Sequence, residues 1–324
     1  MKDTLAVGVD LGATNVRIAL GNNEGTILYR LKEPTSKDRG ANGISEQIIR
    51  MIRSLQPGTR WIQRLRGIGL GATGPLDMKD GGLKKPTNLP YEFVPLVEPL
   101  KQAFGLPTSL LNDGLTAVMG EKFFGAGKPH ENLAYITLSS GIGGGIYVNN
   151  HLLRGKDGNA TEIGHFTIDM EGRLLCGCGR RGHWEAYCSG TGIPQYARLI
   201  LKEHNPKTLK DSLLSKSVHG DWEKLTSKLI YDTAKMGDKL SQDIVERIGH
   251  LNAIGFACVV DAYDPSLITV GGSLPLNNRS LIIDPVRQHV ERHARNRVPK
   301  IALTKLGDDV VLYGALALAF HPVI

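Results

Sequence analysis

Glycine-rich turns follow several apolar segments, and they limit the possible folds more than any other feature of this sequence. Glycine accounts for 39 of the 324 residues, whereas average usage would supply about 23. Residues 141–145 include four glycines between the apolar runs 133–138 and 146–148. Each glycine inside a strand costs roughly 0.5–1 kcal/mol relative to alanine, so this cluster indicates that a ligand approaches the backbone. Gly271 and Gly272 end another apolar run, where a flat ring could lie against the backbone.

The first glycine turn follows the apolar residues 5–9 and has side chains suited to a nucleotide. Asp10, Gly12, Thr14 and Asn15 precede a second apolar run, which predicts a β-hairpin. The glycine lets backbone N–H groups face a phosphate, the threonine and asparagine add neutral donors, and the aspartate can hold Mg²⁺ through water. The alternative is a tight turn that binds nothing. A Walker P-loop and a G-x-G-x-x-G turn after the first strand are both absent, which excludes the commonest nucleotide-binding folds.

Short apolar runs alternate with longer segments of helical spacing, which predicts an α/β protein. The apolar runs are residues 5–9, 67–71, 133–138 and 267–271. Residues 191–251 combine helical spacing with many charged residues, and we expect a mostly helical layer there. The proline-rich residues 84–107 are expected to form a loop near a cleft. An apolar run after Asp308 predicts a C-terminal helix over residues 309–320.

Composition and charge exclude several classes of protein. Hydrophobic residues make up 41% of the chain and charged residues 22%, as in a soluble globular protein and not a disordered one. The longest apolar run, residues 310–320, has 11 residues, whereas a membrane span needs about 20. No signal peptide is recognisable, so we expect a cytoplasmic protein. The net charge is +7, but the basic residues cluster only at Arg292, Arg295 and Arg297, and neither nucleic acid nor membrane is expected as a partner.

Several further motifs extend the pattern of the glycine turns. Residues 71–77 read GATGPLD, residues 112–113 are Asn-Asp, residues 162–165 are E-x-G-H, and residues 176–185 read CGCGRRGHWE. Together with the turns, these motifs resemble the ROK family of repressors, uncharacterised reading frames and sugar kinases. The resemblance implies a two-domain actin-like ATPase (ribonuclease H-like) fold with a cleft between the domains.

The same resemblance implies a domain organisation. A small N-terminal α/β domain would span residues 1–112 and would be completed by a C-terminal helix within residues 306–324. A larger α/β domain with a zinc knot and the helical layer would span residues 113–305.

The site residues implied by the resemblance are those of a hexose kinase. Asp113 would be the base that accepts the proton of the C6 hydroxyl of the sugar. The residues implied to bind the sugar are Gly74, Asn88, Asn112, Asp113, Glu162, His165 and Glu185. Those implied to bind the nucleotide are Asp10, Gly12, Thr14, Asn15, Arg17, Ser140, Gly141, Gly143, Gly144, Gly271 and Gly272. From the residues alone, Asp113 fits equally well as the N-cap of a helix, and both glutamates fit surface carboxylates.

Four residues have the ligand types of a closed structural zinc site: His165, Cys176, Cys178 and His183. The family pattern has cysteine where this chain has His183. Three interpretations are open: His183 is the fourth ligand, Cys188 replaces it, or the metal is absent. If one ring nitrogen of His165 binds zinc, the other carries a proton and must donate to its partner, which would orient this histidine toward a sugar hydroxyl.

The function implied is an ATP-dependent sugar kinase that uses Mg²⁺ with ATP and a structural Zn²⁺. Glucose is the expected substrate, and an N-acetylmannosamine or N-acetylglucosamine kinase is the alternative. The family resemblance also implies a homodimer or homotetramer. The repressors of the family carry a DNA-binding domain before the kinase-like body, and nine residues before Asp10 cannot form one, so a sugar-sensing repressor is the remote alternative.

Overall fold

A computed structural model describes residues 4–37, 39–55, 61–86 and 91–323. The strands are β1 (Leu5–Leu11), β2 (Asn15–Asn22), β3 (Ile27–Pro34), β4 (Leu65–Ala72), β5 (Leu76–Asp77), β6 (Gly82–Lys84), β7 (Phe93–Pro95), β8 (Thr108–Asn112), β9 (Leu133–Leu138), β10 (Ile142–Val148), β11 (His151–Leu152), β12 (Leu267–Gly271) and β13 (Lys300–Leu303). The helices are α1 (Gly43–Ser54), α2 (Val97–Phe104), α3 (Asp113–Phe123), α4 (Trp184–Cys188), α5 (Gly192–Leu201), α6 (Pro206–Asp211), α7 (Leu213–Ser217), α8 (Ser227–Lys235), α9 (Lys239–Tyr263), α10 (Ser273–Asn277), α11 (Arg279–His289) and α12 (Val310–Phe320).

The chain forms two compact units. The first comprises Met1–Tyr135, Gly145–Thr161 and Thr304–Ile324, and the second comprises Ile136–Gly144 and Glu162–Leu303. This division differs from the expected boundary after residue 112. Helix α3 packs against α12, so the segment that follows β8 stays with the first unit.

The first unit is built on a five-stranded sheet in the order β3-β2-β1-β4-β8. Strands β1, β2 and β3 are antiparallel neighbours, whereas β4 lies parallel to both β1 and β8. Alternation along β1 sends Val7 and Val9 into the core on the α1 side, while Ala6 packs with Leu312 and Leu316 of α12 on the other face. Because β1 and β2 are antiparallel neighbours on either side of the first glycine turn, the hairpin expected there is confirmed.

Helix α12 lies unusually close to the first sheet and to α3, because glycine occupies the facing positions. A Cβ atom built on Gly69 of β4 would lie 2.0 Å from the carbonyl oxygen of Ala315, and one on Gly8 of β1 would lie 2.9 Å from that of Leu312. On the α3 side, a Cβ on Gly314 would lie 1.7 Å from the carbonyl oxygen of Thr116. Backbone thus meets backbone where side chains would normally separate the elements.

The second unit contains the long helix α9, which packs against α4, α5, α8 and α11. The indole nitrogen of Trp184 donates to Oδ1 of Asn252 at 2.9 Å, and Gly255 leaves room for the ring against α9. The second sheet has the order β11-β10-β9-β12-β13, and its strands β12 and β13 belong to the second unit. The expected helical layer over residues 191–251 is confirmed in α5 to α9. Within the described residues, no helix combines the length and apolarity needed to cross a membrane.

The expectation of a loop over residues 84–107 is wrong in part. Strand β7 and the eight-residue helix α2 lie within this range. Pro99 is the third residue of α2, in the first turn, where backbone N–H groups have no partner inside the helix and a proline removes nothing. Helix α2 buries Leu100 and ends at Gly105 in the left-handed conformation.

We expect the substitution Gly69→Ala to lower the free energy of unfolding by about 1–3 kcal/mol, because the added methyl group would overlap the carbonyl of Ala315. Gly143→Ala is the matched control in strand β10, since its Cβ would lie 3.4 Å from Cγ2 of Thr137, an ordinary contact. Urea unfolding of both variants measures the difference. Equal stability of the two variants would show that α12 is not held by close backbone packing.

Candidate active site

The first turn places Asp10 and Arg17 opposite each other across the β1–β2 hairpin. The Nε of Arg17 donates to Oδ2 of Asp10 at 2.8 Å, and its Nη1 donates to the carbonyl oxygen of Asp308 at 2.7 Å. Asp10 is 8% exposed. Burial raises its pKa, while the charge and hydrogen bond of Arg17 act in the opposite direction. Arg17 thus holds the buried carboxylate in place, and Thr14 and Asn15 complete the turn beside it.

The carboxyl ends of β1, β4 and β8 meet at one edge of the first sheet. Leu11 pairs with Ala72, and Ala72 pairs with Asn112. Because parallel strands end at the same edge, the first turn, Gly74 and Asp113 are brought together within the first unit. Asn88, also predicted to bind sugar, lies outside the described residues.

The structure separates the two roles that the sequence left open for Asp113. The N-cap of α3 is Asn112, whose Oδ1 accepts from the backbone N–H of Leu115 at 2.7 Å. Asp113 is the first helical residue. Its Oδ1 accepts from the backbone of Gly114 at 2.9 Å, and its Oδ2 accepts from the hydroxyl of Thr73 at 3.2 Å. The cap interpretation of Asp113 is therefore wrong, and Asn112 performs that role.

The second glycine turn lies in the second unit and closes on Glu185. The backbone N–H of Ile142 donates to Oε2 of Glu185 at 2.8 Å. A Cβ on Gly141 would lie 2.6 Å from the same oxygen, and one on Gly164 would lie 2.2 Å from the carbonyl oxygen of Ile142. Gly141, which the sequence associates with a ligand, thus also leaves room for the Glu185 carboxylate inside the protein.

The late glycine pair lies beside the same turn. Oγ of Ser139 and Oγ of Ser273 are 3.2 Å apart. Gly272 has φ +92°, and its Cβ would lie 2.4 Å from the carbonyl oxygen of Leu138. Ser140, whose carbonyl accepts from Thr191, completes the junction. The contacts between Ser139 and Ser273 and between Gly272 and Leu138 thus join the two turns that contain Ser140, Gly141 and Gly272. Gly143 and Gly144 lie in β10 and Gly271 ends β12, with β9 between these two strands.

The cysteine and histidine residues form a compact cluster. One ligand atom from each of His165, Cys176, Cys178 and His183 lies within 4.8 Å of the other three. The Sγ of Cys176 is 3.7 Å from Nδ1 of His165, and the Sγ of Cys178 is 3.2 Å from Nδ1 of His183. Tetrahedral zinc with S and N ligands sets neighbouring ligand atoms about 3.3–3.8 Å apart. The donor set therefore fits zinc.

Electrostatics around the cluster agree with this fit. Burial raises the pKa of the Cys176 thiol to about 12, so a buried thiolate here needs a nearby cation. Burial and the neighbouring His165 lower the pKa of His183, which favours the neutral imidazole that binds metals. Cys188 is fully buried and its Sγ donates to the carbonyl oxygen of Ile248 at 3.7 Å. It is not part of the cluster, so the alternative with Cys188 as fourth ligand is wrong.

The sugar residues predicted in the second unit surround this cluster. Nε2 of His165 lies 3.6 Å from Oε2 of Glu162, on the opposite side of the ring from Cys176. Oε1 of Glu185 lies 3.7 Å from the Sγ of Cys176. Two carboxylates and an imidazole nitrogen thus lie beside the cluster, and they are suitable partners for sugar hydroxyls.

Comparison with known proteins places the chain in a family. The model of the ROK family matches residues 6–321. The chain belongs to the ROK family. A glucokinase from Pyrobaculum calidifontis is 35% identical over 315 residues, which is 97% of this chain and 94% of the relative.

Solved structures of the family have the same fold. A ROK family glucokinase from Streptomyces griseus, in complex with glucose and AMPPNP, has a TM-score of 0.75 and 31% identity, and the match covers 98% of this chain and 99% of the other. A ROK hexokinase from Thermus thermophilus has a TM-score of 0.80 and 27% identity, with 98% of each chain covered. The actin-like ATPase fold expected from the motifs is confirmed.

Two residues that support the cluster in this ROK protein were not singled out from the sequence. Asp169 accepts a hydrogen bond from the Tyr187 hydroxyl. It also accepts from the backbone N–H of Arg173 at 3.0 Å and from Nε of Arg173 at 3.1 Å. Burial acts to raise the pKa of Asp169, but these hydrogen bonds outweigh burial and hold the pKa below its usual range. The Tyr187 oxygen in turn accepts from the backbone of Leu174. The sequence carries no local signal for this pairing, because Asp169 and Tyr187 are 18 residues apart.

Proposed function

We propose that the protein is an ATP-dependent hexose kinase that transfers the γ-phosphate of ATP to the C6 hydroxyl of glucose. The placement of Asp113 carries the proposal. It lies at the carboxyl end of β8, beside Gly74 and the Asp10 turn, while Asn112 supplies the helix cap. The glucokinase name of the relative from Pyrobaculum calidifontis and the glucose complex of the Streptomyces griseus protein support glucose as the substrate.

Asp113 is proposed to accept the proton of the C6 hydroxyl while the oxygen of that hydroxyl attacks the γ-phosphorus. The new P–O bond forms while the bond to the β–γ bridging oxygen breaks, and ADP leaves with that electron pair. The hydroxyl of Thr73 and the backbone of Gly114 each donate to the carboxylate, which fixes its direction. Such positioning is the main contribution of the protein in phosphoryl transfer.

Asp10 is proposed to hold Mg²⁺ through water, and Mg²⁺ neutralises charge on the phosphates when bound. The role of Arg17 is then to orient Asp10, since it donates to that carboxylate from the facing strand. The backbone of the first turn and the glycines of the second unit would contact the nucleotide. Glu162, His165 and Glu185 would read the ring hydroxyls of the sugar.

A structural zinc ion is proposed for the cluster of His165, Cys176, Cys178 and His183. When bound, zinc supplies a fixed centre of positive charge that favours the thiolates and joins the segments carrying these ligands. Nδ1 of His165 faces Cys176, so Nε2 is the nitrogen that would carry the proton and donate toward Glu162 or a sugar hydroxyl. On the family resemblance, we also propose a homodimer or homotetramer.

We expect Asp113→Asn to lower kcat for glucose phosphorylation by about 10²–10⁴, because it removes the proton acceptor and keeps the shape. The KM for glucose should change far less. Coupled assays of ADP formation, with folding checked by circular dichroism, measure this effect. Asn112→Ala is the control for the helix cap, and it should lower the free energy of unfolding by about 1 kcal/mol. Near-normal turnover of folded Asp113→Asn would refute the assignment of the base.

We expect protein purified without chelators to contain about one zinc ion per chain, because the four ligands form a closed site. Cys178→Ser should lower both the zinc content and the melting temperature, since metal binding and folding share their free energy. Cys258→Ser is the matched control, because this cysteine lies in α9 and outside the cluster. Elemental analysis measures the zinc content of each protein. A wild-type protein without zinc, or a Cys178→Ser variant with one zinc ion per chain, would contradict the proposed zinc site.

A further inference from the structure

Glu121, near the C-terminal end of α3, is a buried carboxylate that the proposed chemistry does not use. Its exposed fraction is 0%. Its Oε1 accepts from the hydroxyl of Thr304, and its Oε2 accepts from the backbone N–H of Ala126 at 3.1 Å. Among the described residues, no lysine or arginine forms an ion pair with it within 4.0 Å. Burial raises its pKa, and both hydrogen bonds oppose that rise.

The loop that follows α3 is shaped around this carboxylate. A Cβ on Gly125 would lie 2.3 Å from Oε2 of Glu121, and one on Gly127 would lie 2.9 Å from the carbonyl oxygen of the same glutamate. The backbone of Gly125 donates to that carbonyl at 3.1 Å. Because burying a charged group without a cation costs free energy, an apolar side chain would stabilise the core more simply. The carboxylate therefore indicates a requirement beyond packing.

The partner of Glu121 lies where the chain enters its last segment. Leu303 ends β13 in the second unit, and Thr304 begins the part of the chain that belongs to the first unit. Oγ1 of Thr304 accepts from the backbone of Leu306 at 3.1 Å. Within a few residues, Asp308 accepts from Arg17. Hydrogen bonds within the first unit thus connect α3 to residues 304–309, and connect residues 304–309 to Arg17 in the Asp10 turn.

We propose that Glu121 is a positioning residue for phosphoryl transfer. By binding Thr304, it fixes α3 along its axis and so sets the place of Asp113 relative to the segment that supports Arg17 and Asp10. The inference rests on the proposed kinase function. Glu121 follows Asp113 by eight residues in the same helix, about 12 Å along the axis, so it does not touch the reacting atoms. A misplacement of about 1 Å at the base is enough to lower the rate about 10²-fold.

A carboxylate suits this task better than an amide. Both contacts of Glu121 come from donors, the hydroxyl of Thr304 and the N–H of Ala126. A glutamine would accept from one of them and would turn its own NH₂ group toward the other. Glu121→Gln should therefore loosen one of the two attachments while it keeps the shape of the side chain.

The test compares Thr304→Val with Thr304→Ser in the full-length protein. The valine variant removes the hydroxyl that binds Glu121, and the serine variant retains it. With glucose and ATP as substrates, we expect Thr304→Val to lower kcat by about 10- to 100-fold, with KM values changed by less than about threefold. Thr304→Ser should restore kcat to within about twofold of the wild type. Glu121→Gln should resemble Thr304→Val in this split between kcat and KM.

Thr233→Val is the matched control, because Thr233 lies in α8 and is not among the residues proposed to bind substrate or to act in phosphoryl transfer. Its buried hydroxyl donates to the carbonyl oxygen of Leu229 at 2.8 Å and lies 2.7 Å from the hydroxyl of Ser241. It should lower the melting temperature and leave kcat unchanged. If Thr304→Val and every folded Glu121→Gln preparation keep the wild-type kcat while melting earlier, the pair is only structural and the inference is wrong. A wild-type protein without activity on glucose would instead refute the proposed function, and the inference would fall with it.

Discussion

The close contact of α12 with the first sheet and with α3 is the constraint on which the rest of this structure depends. Helix α12 comes from the end of the chain, yet it lies against β1, which carries Asp10, and against α3, which begins with Asp113. The approach is possible because Gly69 and Gly314 present no side chain at the crossing points. One apolar helix thereby fixes the positions of two of the groups proposed for phosphoryl transfer. The hydrogen bond from Thr304 to Glu121 attaches the chain before α12 to α3 a second time.

Much of this arrangement could be predicted from local sequence. Alternating apolar residues and turn glycines identified β1, β4, β9 and β12, and helical spacing identified the layer of α5 to α9. The proximity of His165, Cys176, Cys178 and His183 was predictable because these residue types at this spacing are typical of zinc ligands. Contacts between distant residues could not be predicted in this way. Thr73 and Asp113 are 40 residues apart, and Glu121 and Thr304 are 183 apart, so no periodic pattern or short motif records either pair.

Where one pattern allowed two roles, three-dimensional contacts decided between them. Asn112 and Asp113 are both good helix caps, and only the hydrogen bond from Leu115 to Asn112 assigns that role. The glycines of the second turn show a related ambiguity. Gly141 leaves room for the Glu185 carboxylate and Gly272 for the carbonyl of Leu138. A glycine in a turn therefore indicates that another group lies close to the backbone, but it does not distinguish a ligand from another part of the protein.

The central claim, that this ROK protein phosphorylates glucose at C6, is tested most directly by initial rates with ATP over a panel of hexoses, with the product identified by NMR. The panel should include glucose, mannose, N-acetylglucosamine and N-acetylmannosamine at equal concentrations. We expect the highest kcat/KM for glucose, with glucose 6-phosphate as the product. A higher kcat/KM for an N-acetylated hexosamine would contradict the assignment of substrate, and sugar binding without phosphoryl transfer to any member of the panel would contradict the assignment as a kinase.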